Sequence, residues 1–169
     1  MLTHRRKPVS LSLISYDLPV WSLVETAGTL YQKGENRFHL LLKEPVICEP
    51  DRKDVKEADA RENLLPMKEA KESSRLVWLE FSPYRATMTM QGNGKLGYRH
   101  LWERGMYGIS RYWLQSDLSP ENNQIRLRNY TRNLTVTGEK LPEHFRLEYE
   151  LWAEKVRFGR YVLNLEIHH

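Results

Sequence analysis

The chain has a single cysteine, Cys48. An intrachain disulfide is therefore excluded, and the fold must stand on its apolar core. No stretch approaches the roughly 18 apolar residues that a membrane-spanning helix needs. No early apolar run follows Thr3-His4-Arg5-Arg6-Lys7, so no secretory leader is predicted. The sequons Asn129-Tyr130-Thr131 and Asn133-Leu134-Thr135 then read as ordinary strand residues, and a cytoplasmic location is expected. The six histidines show no H-x-x-x-H or Cys/His ligand spacing, so no metal site is predicted. No internal repeat is visible.

What is present suits one ordinary domain, 1–169. Nine Tyr and five Trp are a generous supply of large apolar bodies with polar handles. The net charge is +4 and the isoelectric point about 9.2. That balance favours acidic partners without selecting among them.

The first ten residues read as a basic, loosely ordered arm, and Leu11 to Ser15 as a short strand. Asp17 as N-cap and Pro19 in the first turn predict a short helix over Val20 to Ala27, stopped by Gly28. Thr29 to Gln32 and Arg37 to Lys43 read as strands about a turn at Gly34-Glu35-Asn36. Glu49 to Ser74 is rich in charge of both signs and lacks aromatics, which predicts a solvated, partly helical or flexible insertion.

From Arg75 the pattern becomes dense and apolar, and most of the core is expected there. Ala86, Met88 and Met90, preceded by Tyr84, alternate with polar residues at the period of a half-buried strand. Leu96 to Trp102 and Met106 to Leu114 add two strands parted near Gly105, and Ser119 to Asn123 reads as a turn. Gln124 to Thr137 alternates but changes parity, which predicts a bulge near Asn129. Phe145 to Leu151 fits a strand, although Leu141, Phe145, Tyr149, Trp152 and Val156 also share a helical face; the aromatic content favours the strand. Arg160 to His168 closes the chain, with Tyr161, Leu163, Leu165 and Ile167 inward. The fold class expected is mainly β, an antiparallel barrel or curved sheet.

Several motif-like groups dissolve on inspection. Gly92-Asn93-Gly94-Lys95-Leu96-Gly97 has G-x-G-x-x-G spacing, but no helix of adequate length follows, so a hairpin turn explains it better. Cys48 has no histidine at a telling distance along the chain. Glu148, Glu150 and Glu154 read as the wet side of a strand. Arg126, Arg128 and Arg132 form a basic row which, with Arg99, Arg104 and Arg111 and nearby aromatics, suits phosphates or carboxylates.

The segment from Leu23 through Glu25-Thr26-Ala27-Gly28-Thr29-Leu30-Tyr31-Gln32, a short helix running into a strand, resembles the start of calycin-type (lipocalin-like) barrels. Within that group it is similar to the S-type phycobiliprotein chromophore lyases, with Gly28 at the motif glycine and Leu30 in place of the motif tryptophan. The resemblance implies a barrel whose mouth holds a bilin, with arginines on its propionates. Tyr84, Met88, Arg99, Trp102, Arg111 and Trp113 are then the candidate ligand-binding residues. It implies no catalytic residue, because no catalytic position aligns.

The leading expectation is thus a binding protein for a hydrophobic or amphipathic ligand that docks on a client protein. The alternatives are an assembly or scaffold factor working through its β surface, and a single-stranded nucleic-acid binder using Arg126, Arg128 and Arg132.

Overall fold

The computed structural model describes residues 5–18, 21–44, 75–91, 96–116 and 119–169. They form ten strands: β1 (Arg5–Ser15), β2 (Trp21–Gly34), β3 (Arg37–Glu44), β4 (Arg75–Phe81), β5 (Arg85–Gln91), β6 (Leu96–Glu103), β7 (Tyr107–Ser116), β8 (Ser119–Thr137), β9 (His144–Ala153) and β10 (Val156–Ile167). Each strand is antiparallel to its neighbours in sequence, and β1 closes on β10 through pairs from Val9↔Ile167 to Ser15↔Tyr161. The result is a closed barrel in which no strand edge is left open.

The period-two pattern produces this wall. In β5, Ala86, Met88 and Met90 point inward while Arg85, Thr87 and Thr89 point outward. In β9, Phe145, Leu147, Tyr149 and Leu151 are buried inside. The segment with a helical alternative is therefore a strand, and the inward set expected for β10 is observed. Among the described residues, Val77 to Ile167 supply sixteen of the twenty-three buried apolar side chains and Val9 to Leu42 the other seven, so the later strands do carry most of the core.

Strand direction gives the barrel two ends. The lower end carries the turns after β2, β4 and β6 and the loop 138–143. It is sealed by Phe38, Phe81 and Phe145, whose ring centroids lie 5.7 and 5.1 Å apart in sequence. Burying each such ring contributes about 1.5–3 kcal/mol. The upper end carries the β1–β2 connection and the Glu154-Lys155 turn.

Several expectations are corrected. No helix occurs among the described residues, and Trp21 to Ala27 of the helix predicted over Val20 to Ala27 are the start of β2. There Val24, Gly28 and Leu30 are buried while Trp21 and Leu23 face solvent, so period two wins over the helical spacing of Trp21 and Val24. Ten register pairs to β1 hold the strand in place. Gly28 is therefore not a helix stop. It sits mid-strand facing the core, where an added Cβ would lie 2.8 Å from Leu40 Cδ1. Within the basic arm, Arg5 to Ser10 belong to β1. Ser119 to Asn123, expected as a turn, belong to β8. Tyr84 lies in the β4–β5 turn rather than in the strand. The bulge expected near Asn129 falls between Thr131 and Asn133, which makes Arg132 the extra residue. Cys48, the insertion 49–74 and most of the glycine-rich turn lie outside the described residues. No helix among the described residues is long and apolar enough to cross a membrane.

Candidate functional site

The interior changes character from bottom to top. Adjacent strands β6, β7 and β8 place Tyr98, His100 and Trp102, then Ser110 and Tyr112, then Leu127, Asn129 and Thr131 on the inner face. Tyr149 of β9 and Tyr161 of β10 complete the group. The His100 ring stacks on Trp102 at 4.7 Å and 4° between planes, with Tyr112 edge-on at 5.3 Å. Tyr149 lies 5.0 Å from Trp102 and 5.4 Å from Tyr161.

A polar chain runs beneath these rings. Asn129 Nδ2 donates to the Leu101 carbonyl at 3.0 Å and to Ser110 Oγ at 2.9 Å. A carbonyl can only accept, which fixes the orientation of the amide. Ser110 Oγ lies 2.6 Å from His100 Nδ1. When Ser110 accepts from Asn129 and donates its own proton to Nδ1, the histidine proton sits on Nε2. The backbone explains why an asparagine is needed here. The β6–β7 ladder ends at His100↔Ser110, and Asn129 reaches past Gly108 to take up the next carbonyl. A Cβ at Gly108 would overlap that carbonyl and lie 2.8 Å from Asn129 Oδ1. Trp102 Nε1, Asn129 Oδ1 and Thr131 Oγ1 are buried on the same inner face without a protein partner.

Burial sets the electrostatics. It pushes the His100 pKa down to about 3, so the ring is neutral at physiological pH and a poor base there. It pushes Tyr112 up to about 12, with Tyr161 adding to the shift, and raises Tyr149 and Tyr161 as well. The group thus offers neutral donors and acceptors between aromatic walls.

Towards the upper end this lining meets solvent. Leu13, Tyr98, Tyr112, Leu127 and Tyr161 face inward yet are only half-buried, and Ile125, opposite Tyr112, is exposed. Trp102 and Phe145, lower down, are 2% and 1% exposed. Among the described residues the barrel is closed below, and its inward side chains grow more exposed towards the upper end.

The six ligand-binding candidates read from the sequence do not converge. Met88 and Trp102 face the interior, whereas Arg99, Arg111 and Trp113 lie on the outside of the same wall, because they occupy the opposite parity of their strands. Tyr84 is at the lower end, 66% exposed, with the Arg104 guanidinium 5.5 Å above its ring. The basic residues of β8 also part company. Arg126 stands beside Arg111, while Arg128 covers the Tyr107 ring at 4.7 Å and donates to the Glu154 carbonyl. Arg132, at the bulge, pairs with Glu150 at 2.8 Å. Glu148 and Glu150 are on the outer face as expected, but arginines cover them: Arg160 bonds Glu148, and Arg157 reaches Glu150 at 3.8 Å. Sequence reasoning missed His100, Ser110 and Asn129. The available signal was a polar residue at an inward position of a strand otherwise lined by aromatics.

No protein-family model matches the chain, and no curated protein matches it. Its fold is similar to that in the crystal structure of the ywiB protein from Bacillus subtilis, with a TM-score of 0.55 over 98% of this chain and 96% of that one, at 11% identity. At that identity the likeness shows the fold alone.

Proposed function

We propose that the protein is a binding barrel that takes an uncharged, flat, largely apolar molecule into its upper end. The observation that carries this reading is the half-buried tyrosine rim over the His100–Ser110–Asn129 chain, in a barrel sealed at its other end. Sites for small ligands are mostly apolar, with a few placed polar groups that fix orientation. Here His100 Nε2–H, Trp102 Nε1–H and the Asn129 and Thr131 oxygens serve as those groups. The inward residues named here are all uncharged at neutral pH, so the part of the ligand inside the barrel is uncharged too. A linear tetrapyrrole, the ligand implied by the calycin resemblance, fits only if its propionates stay at the rim.

The test is a titration with N-phenyl-1-naphthylamine, a neutral fluorophore, beside its sulfonated relative 1-anilinonaphthalene-8-sulfonate. The neutral probe is expected to give a saturable rise in emission and the sulfonate a much weaker one. Leu127→Trp, which narrows the opening, should weaken the neutral probe at least about tenfold, roughly 1.4 kcal/mol. No saturable response, or an unchanged response in L127W, rejects the reading.

A further inference from the structure

The outside of the same wall carries a different kind of site. Arg99, Arg111 and Arg126 are direct cross-strand partners on β6, β7 and β8. Neighbouring strands lie about 4.8 Å apart, so three guanidinium groups are anchored within about 10 Å. Like charges placed directly opposite one another destabilise a sheet. Four arginines further round the barrel are neutralised: Arg132 and Arg157 by Glu150, Arg146 and Arg160 by Glu148. Among the described residues, Arg99, Arg111 and Arg126 make no ion pair.

The row opens onto a groove. Next to Arg99, a groove of about 350 Å³ runs over β4 and β5, lined by Trp78, Thr87, Thr89 and Gln91. It shares Glu80 and Thr87 with a second groove of about 200 Å³ that holds Arg37 and Arg85 at the lower end. Trp78 is 47% exposed in the floor, and Trp113 lies outside over Gly97, beside the arginine row. Among the described residues, the carboxylates on this face are Glu80, 3.4 Å from the His39 ring, and Glu103, opposite Arg85 at the lower end. The upper part of the track is therefore cationic, with two flat indoles and neutral hydrogen-bonding side chains between the charges.

We infer that this outer face of β4 to β8 binds single-stranded nucleic acid, with phosphates on Arg99, Arg111 and Arg126 and a base stacked on Trp78. Regularly placed cations suit any linear polyanion. An exposed indole in the groove floor adds a partner for a flat base, which acidic peptides do not supply. This site is separate from the interior, so its failure would leave the proposed ligand-binding function untouched.

The experiment is fluorescence anisotropy of a labelled oligothymidylate at low salt, repeated as salt rises. Neutralising three phosphates predicts a slope of log affinity against log salt of about −2 for a single strand. Arg99→Gln/Arg111→Gln/Arg126→Gln should abolish measurable binding while melting no lower than the parent, since opposed like charges are removed. Arg126→Glu, a single change at an exposed position, should also lose binding. Trp78→Ala should weaken it about tenfold, and Arg146→Gln, on β9 outside the β4 to β8 face, should leave it within about twofold. No binding at low salt overturns the inference. So does full affinity in the triple variant or in Trp78→Ala, or competition by polyglutamate as effective as by unlabelled oligothymidylate.

Discussion

His100 makes stability depend on pH in a way that can be worked out from its position. Its ring is buried between Trp102, Tyr98 and Tyr112, and burial lowers its pKa from 6.5 to about 3. The unfolded chain therefore binds a proton below pH 6.5 that the folded chain refuses. The neutral ring's contribution is fully present above the unfolded value and is lost as pH falls toward the folded one. Between pH 7.5 and pH 5 the difference is about 2 kcal/mol, at 1.36 kcal/mol per pH unit. With a urea dependence of about 2 kcal/mol per M, the unfolding midpoint should fall by about 1 M. His39, also lowered chiefly by burial, acts in the same direction and remains in a His100→Gln variant. The assay is therefore urea unfolding of parent and H100Q at both pH values, comparing slopes rather than absolute stabilities. H100Q should lose most of the pH dependence in this window. Parallel pH dependence in the two proteins would refute the burial of a neutral His100.

Further outcomes follow from the same packing. Gly108→Ala should destabilise by about 1–3 kcal/mol, read by urea unfolding, because its Cβ meets the Leu101 carbonyl and Asn129. Phe145→Ala should cost about 3–5 kcal/mol in the same assay, since the ring is 1% exposed and touches Phe81 at the sealed end. Asn129→Leu should cost about 1–3 kcal/mol by leaving the Leu101 carbonyl unpaired, and should speed amide exchange in β6 more than in β10.

The strands were most legible where each carried one strict alternation. In β5, and in β10 beyond the register shift at Arg157/Gly159, the inward and outward sets follow from odd and even positions. β2 was misread because Trp21 and Val24 satisfy a helical spacing and Gly28 reads as a helix stop. What excludes the helix is pairing with β1, a contact between segments that no local pattern contains. The candidate site failed for a reason that parity alone could have exposed. Arg99 and Trp102 are three residues apart on one strand and must lie on opposite faces. The same rule would have set Tyr98, His100 and Trp102 together. That Asn129 bridges to His100 through Ser110 was not legible, because it depends on where the β6–β7 ladder stops.

The central claim is that an uncharged ligand enters the upper end of the barrel and lies against the tyrosines and His100. Intermolecular nuclear Overhauser effects between bound N-phenyl-1-naphthylamine and methyl-labelled protein test it directly. Cross-peaks to Leu13, Leu127 and Leu163, all inside, are predicted. Cross-peaks confined to the outward-facing Leu23, Leu76, Leu101 or Ile109 would contradict it.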